Sequence, residues 1–261
     1  MIRRIGNELK TMYPRKYILI CTAAVLFLSF LSATGSRQAG TAGDLIMQVL
    51  GGVRSGVNYV SYIKSMPWLI INTLFVGVVL LYCNMEINHR IYMVLSRYSS
   101  YTQWWNLKFT SVLLGSMIFS LVSVFVVAAV GCLHNDISFG LTGEYALSSL
   151  SWLIPIFTVF CCLIGALLLF CFTWTANMKT CLLVYAISTI VPITMCWVIP
   201  DATAWLFGNW GMLKKSNVVD TVYGFSPWLV LAFEVLLIAG LYFFGRSKMI
   251  LKKICYRVSM Q

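Results

Sequence analysis

The chain has 261 residues, of which 60% are hydrophobic and 10% charged, and its net charge is +11. Soluble domains carry charge on about a quarter of their residues, so a water-exposed globule of this size is excluded. Charge is also missing over long runs, Thr110 to Leu133 and Tyr145 to Asn177, as expected of helices that must satisfy their own amides in lipid.

Residues 1–14 read as an amphipathic interfacial helix. Ile2, Ile5, Leu9 and Met12 recur at three- and four-residue steps, with Arg3, Arg4, Asn7 and Lys10 elsewhere on the wheel; such a stripe lies down on the headgroup region. A disordered basic anchor is the alternative, because the stripe is short. Pro14 ends the segment, and the first span is expected from Tyr17 to Thr34. It is longer than a secretory apolar core, so a retained span rather than a cleaved leader is expected.

An outer loop over 35–66 follows, with a short helix expected from Leu45 to Leu50. Met66-Pro67-Trp68 opens the second span, Pro67 to Cys83, since Pro suits a first helical turn and Trp the interface. Asn72 within it is a candidate for a hydrogen bond between helices. Residues 84–108 form the main inner segment. Ile87, Ile91, Val94 and Leu95 give an apolar stripe there, and Glu86, Arg90 and Arg97 fall off it, which predicts a helix along the inner surface. Trp104 and Trp105 are expected as interfacial anchors, with Lys108 tethering the third span, Phe109 to Cys132.

The fourth and fifth spans, Leu150 to Thr175 and Cys181 to Ile199, are joined by so few residues that they must be antiparallel neighbours. Residues 200–226 carry Trp205, Phe207, Trp210, Met212 and Leu213 among glycines and polar residues. That is too apolar for a free loop and too broken for a span, so a re-entrant or interfacial excursion is expected. The last span runs from Pro227 to Gly245. The expected fold class is therefore all-α integral membrane: six transmembrane helices, one domain over 15–261, and both termini on the cytoplasmic side.

Orientation follows from the basic residues of short loops. With the N-terminus inside, fourteen of the 19 Lys and Arg fall on the inner side and five outside, where five acids balance them. The positive charge then belongs to the inner membrane face, where it meets anionic lipid, and nucleic acid need not be invoked.

Catalytic motifs are missing. Gly240 to Ser247 has the glycine spacing of a phosphate loop but lacks its Lys and ends a membrane span, where helix bonds already use the amides. The two histidines, His89 and His134, are far apart in the sequence, and Glu86 with His89 offers two ligands and no third, so no metal site is expected. The nine cysteines lie mostly within spans, as small apolar side chains. Ser116, Ser120 and Ser123 suit close helix packing. Glu234 is the one acid well inside a span. It is either an intramembrane functional group or an acid that is protonated or snorkels outward to pair with Lys214 or Lys215.

The stretch from Glu86 to Lys108 (an acid at the inner end of the second span, a short amphipathic helix, Arg97-Tyr98-Ser99-Ser100, then Trp104-Trp105 and Lys108) resembles the ABC type-2 exporter permeases. The small permeases encoded beside bacteriocin and antimicrobial-peptide genes are most similar. The resemblance covers about 25 residues in pattern and nearly the whole chain in layout; Ser99-Ser100-Tyr101 departs from it where those permeases often carry a basic residue.

The resemblance implies a non-catalytic permease subunit in a bacterial cytoplasmic membrane, exporting a peptide-like or amphipathic substrate. ATP and Mg would be bound by a separate ATPase subunit, and a second permease subunit, identical or different, would complete the path. Glu86, Arg90, Tyr92, Leu95 and Arg97 would belong to the helix that couples to the ATPase, residues 1–14 would be the connecting helix, and Trp104, Trp105 and Lys108 would hold the lever at the membrane. Competing expectations are an immunity or sensor protein that binds a ligand and moves nothing, and a proton-coupled transporter resting on Glu234.

Overall fold

The structure is a computed structural model. It describes residues 2–35, 41–52, 66–86, 100–133, 147–199, 206–221 and 224–246. Helices dominate: α1 (Ile2–Met12), α2 (Arg15–Gly35), α3 (Ala42–Leu50), α4 (Met66–Asn84), α5 (Tyr101–Leu133), α6 (Leu147–Thr175), α7 (Met178–Tyr185), α8 (Val191–Val198) and α9 (Pro227–Gly245). A π-helical stretch, Ala186–Ile190, joins α7 to α8, so these two make one span. Among the described residues six helices are long and apolar enough to cross a membrane, and the chain is an all-α, multi-pass membrane protein. We call the end carrying the basic segments the inner end.

The expected spans all form, with one informative difference. The third begins at Tyr101, eight residues before the expected start at Phe109, and runs for 33 residues. At 1.5 Å per residue that is about 50 Å, well beyond the roughly 30 Å hydrocarbon core. Trp104, Trp105 and Lys108 therefore sit on a helix continuous with the span. Charge does not stop that helix, because Lys108 is buried in protein.

The central helix is α6. It packs on α4, α5, α7 and α9, and about two thirds of its span is buried. Hydroxyls join it to α5: Ser120 donates to Thr158 Oγ1 at 2.9 Å, while buried Ser116 and Ser123 donate back to carbonyls of their own helix. Small side chains with internally satisfied hydroxyls let such helices approach closely. α6 ends at Thr175, Ala176 turns at φ 49°, and Asn177 caps α7 by accepting from the Lys179 amide at 2.9 Å. The tight antiparallel turn expected between the fourth and fifth spans is present.

At the outer end, Thr41 caps α3 by accepting from the Asp44 amide, and the helix is buried against α5, not laid on the outer surface. Residues 206–221 form two 3-10 turns, Phe207–Asn209 and Leu213–Lys215. Their backbone is held by protein: Trp68 Nε1 donates to the Gly211 carbonyl at 3.3 Å, and the Lys214 amide donates to the Gly51 carbonyl at 3.0 Å. Irregular backbone in a membrane protein requires such partners.

Candidate functional site

The inner end of the bundle holds a buried ion cluster. Of the chain's eight acids only Glu8 and Glu86 lie on the inner side, and both meet the same base. Lys108, on the first turns of α5, is 1% exposed. Its Nζ donates to Glu86 Oε2 at 2.6 Å and to Glu8 Oε2. Tyr82, near the end of α4, donates its hydroxyl to that Glu8 oxygen at 2.8 Å, and its ring lies 5.4 Å from the ammonium. A charge withdrawn from water is tolerable only when paired and hydrogen-bonded, and here one ammonium is met by two carboxylates and an aromatic face.

These contacts join three elements. α1 contributes Glu8, the end of the second span contributes Tyr82 and Glu86, and the start of the third contributes Lys108. α1 is also held by apolar contact: Met12 is buried against α5, and the Tyr13 hydroxyl donates to the Gly115 carbonyl at 3.0 Å. The stripe expected to lie on lipid is therefore only part of what seats α1. Glu8 and Met12, one turn apart, face the bundle, while Arg4, Asn7 and Lys10 are exposed.

Trp104 and Trp105 are both buried, at 1% and 0% exposure. As interfacial anchors they would turn their rings to the membrane boundary; instead the rings pack inside protein. Trp105 packs on the end of α9, where helical donors for the last carbonyls run out, although the Tyr242 carbonyl also accepts from the Arg246 amide at 3.1 Å. Trp105 Nε1 donates to the Tyr242 carbonyl at 3.0 Å, the Tyr101 hydroxyl donates to the Gly245 carbonyl at 3.1 Å, and the Tyr242 hydroxyl donates to Asn106 Oδ1 at 2.9 Å. Gly245 is required by this fit, since a Cβ there would lie 1.9 Å from Trp105 Cζ2.

Other expected site residues fall elsewhere. Arg90, Tyr92, Leu95 and Arg97 lie outside the described residues. Among the described residues Asn72 bonds no other helix: its Nδ2 donates to the Trp68 carbonyl of its own helix at 2.9 Å. Glu234 is fully buried on the narrow strip of α9 that faces α6, and neither carboxyl oxygen has a hydrogen-bond partner among the described residues. Of the alternatives left open, the outward pairing with Lys215 is not made, because that ammonium is buried and donates to Asn209 Oδ1 at 2.6 Å; nor does Glu234 reach Lys214. A buried polar group without a partner costs about 1–3 kcal/mol. Replacing Glu234 with Leu should therefore raise stability by about that amount in a detergent melt; a lower melting temperature would mean that the carboxyl has a partner beyond the described residues.

Comparison with protein-family models, curated proteins and solved structures finds no match for this chain.

Glu8 and Tyr82 were not legible as site residues. The one signal was arithmetic, since the inner side has a large basic excess and only two acids, which makes each acid a candidate for a structural pairing.

Proposed function

We propose that this chain is the membrane permease subunit of an ABC exporter. It would move a peptide-like or amphipathic substrate out of a bacterial cell across the cytoplasmic membrane, with ATP and Mg bound by a partner ATPase and a second permease subunit completing the path. The observation that carries the reading is the cluster of Glu8, Tyr82, Glu86 and Lys108. It ties the two ends of the inner segment to each other and to α1. A segment pushed by a partner transmits force to the spans only if its attachments are stiff, and paired charges in a low-dielectric site resist displacement.

On this reading the ATPase grips the segment between Glu86 and Arg97. Its closure moves the second and third spans and α1 as one corner. Trp105 and Tyr101 pass that movement to the end of α9, so the last span follows the third, and the permease pair opens outward.

The test is a pull-down of the tagged protein from its native membrane in mild detergent. An ATPase subunit should co-purify, and reversing Arg90 and Arg97 to Glu should cut its recovery by at least about tenfold, as expected when like charges meet at a docking surface, with membrane insertion unchanged. Undiminished recovery would reject the coupling role. A wild-type chain that comes down alone, where a known ABC complex survives the same detergent, would favour a membrane protein that binds a ligand without transport.

A further inference from the structure

α2 and α5 run side by side, yet above α1 they part around a cleft of about 380 Å³. Ile18, Thr22 and Val25 line it from α2, and Phe119, Val122 and Val126 from α5. Leu9, Lys10 and Tyr13 close its inner end. The cleft exists because the corner between α1 and α2 is pinned into α5. Gly115 has no side chain, so Met12 and Tyr13 sit where a Cβ would meet Met12 Sδ at 2.6 Å. Tyr13 then acts as a wedge at the base of the two helices.

The dimensions fit part of a lipid. Ile118 to Val126 spans eight helical steps, about 12 Å, against about 15 Å for the hydrocarbon half of one leaflet. The walls are almost wholly apolar, as an acyl chain requires, and the Ser123 hydroxyl among them is turned back to the Phe119 carbonyl. One charge stands at the headgroup end: Lys10 is exposed, and its ammonium has no ion-pair partner among the described residues. Glu8, the nearest acid along the helix, is turned inward to Lys108. The other exposed bases nearby, Arg15 and Lys16, do not line the cleft.

We propose that this cleft binds one anionic phospholipid of the inner leaflet, with an acyl chain between α2 and α5 and its phosphate at Lys10. A cation at leaflet depth beside an apolar slot distinguishes an anionic headgroup from a zwitterionic one. The site depends on the membrane orientation set by the basic segments and not on the exporter reading.

The experiment places the full chain in phosphatidylcholine nanodiscs with a trace of phosphatidylglycerol or phosphatidylcholine spin-labelled on one acyl chain. Wild type should show a motionally restricted component that favours phosphatidylglycerol about fivefold, the selectivity one lysine near the surface supplies. Lys10→Ala should bring the two lipids level, and Lys16→Ala should leave the preference in place. Val122→Trp should fill the slot and bring the two lipids level; Val122 is exposed enough to accept the ring. Equal binding of the two lipids by wild type would overturn the proposal. So would an equal loss in Lys16→Ala, which would mean diffuse attraction to a basic surface, or a preference for phosphatidylglycerol that survives Val122→Trp.

Discussion

Lys108→Met should destabilise the protein by about 3–5 kcal/mol, the usual result of removing one member of a buried ion group. Methionine keeps the length of the stem, so the loss isolates the ammonium. Glu8 and Glu86 would then face each other without the ammonium between them, next to a Tyr82 hydroxyl that donates to Glu8. The fold has one cheap relief, to release α1, because Glu8 is the more exposed of the two acids. Melting in detergent should show the loss, and protease should cut α1 sooner than in wild type. Adding Glu8→Gln and Glu86→Gln to Lys108→Met should recover most of the stability, since neutral partners remove the repulsion. A single variant that melts with wild type would mean that Met12 and Tyr13 alone seat α1. On the exporter reading the recovered triple variant should still transport poorly, because its corner is held by weaker bonds.

The end of the last span gives the second large effect. Gly245→Ala should cost about 3 kcal/mol, through overlap with the Trp105 ring and loss of the bonds from Trp105 and Tyr101 to the α9 carbonyls. Overpacking costs about 1–3 kcal/mol, and each lost hydrogen bond adds about 0.5–1.5. The two positions should be strongly coupled. In a Trp105→Leu background the same Gly245→Ala change should cost less than half as much, because the atoms it meets are gone. Additive costs in the double-mutant cycle would refute the direct contact. Most of α9 has little protein around it, so this inner contact and the strip through Val230 and Glu234 are what hold the last span in the bundle.

The spans were legible because lipid leaves a chain few choices. Without water, backbone amides must pair within each helix, and the apolar runs from Leu150 to Thr175 and Pro227 to Gly245 mark their own ends. Boundaries failed where that rule relaxes. Nothing near Tyr101 marks a helix start in lipid terms, since Asn106 and Lys108 are polar; their partners, Tyr242 and the two acids, come from other helices. The setting of Glu234 was not legible for a related reason. Whether an acid snorkels depends on which strip of its helix faces protein, and α9 is apolar nearly all round, so its sequence does not mark that strip.

By itself, then, the sequence determined the class, the number of spans, the side on which the basic segments gather and the amphipathic character of α1, all of which follow from local composition and from solvent. The tertiary structure decided what each isolated charge is for. Lys108 changed from an expected surface tether to the centre of a buried cluster and Trp105 from an expected anchor to the cap of α9, while Lys215, one of two partners considered for Glu234, is a donor to Asn209. Each of these depends on which distant residue arrives within about 3 Å, where hydrogen bonds form. That is a property of packing between helices, and no periodicity within one helix encodes it.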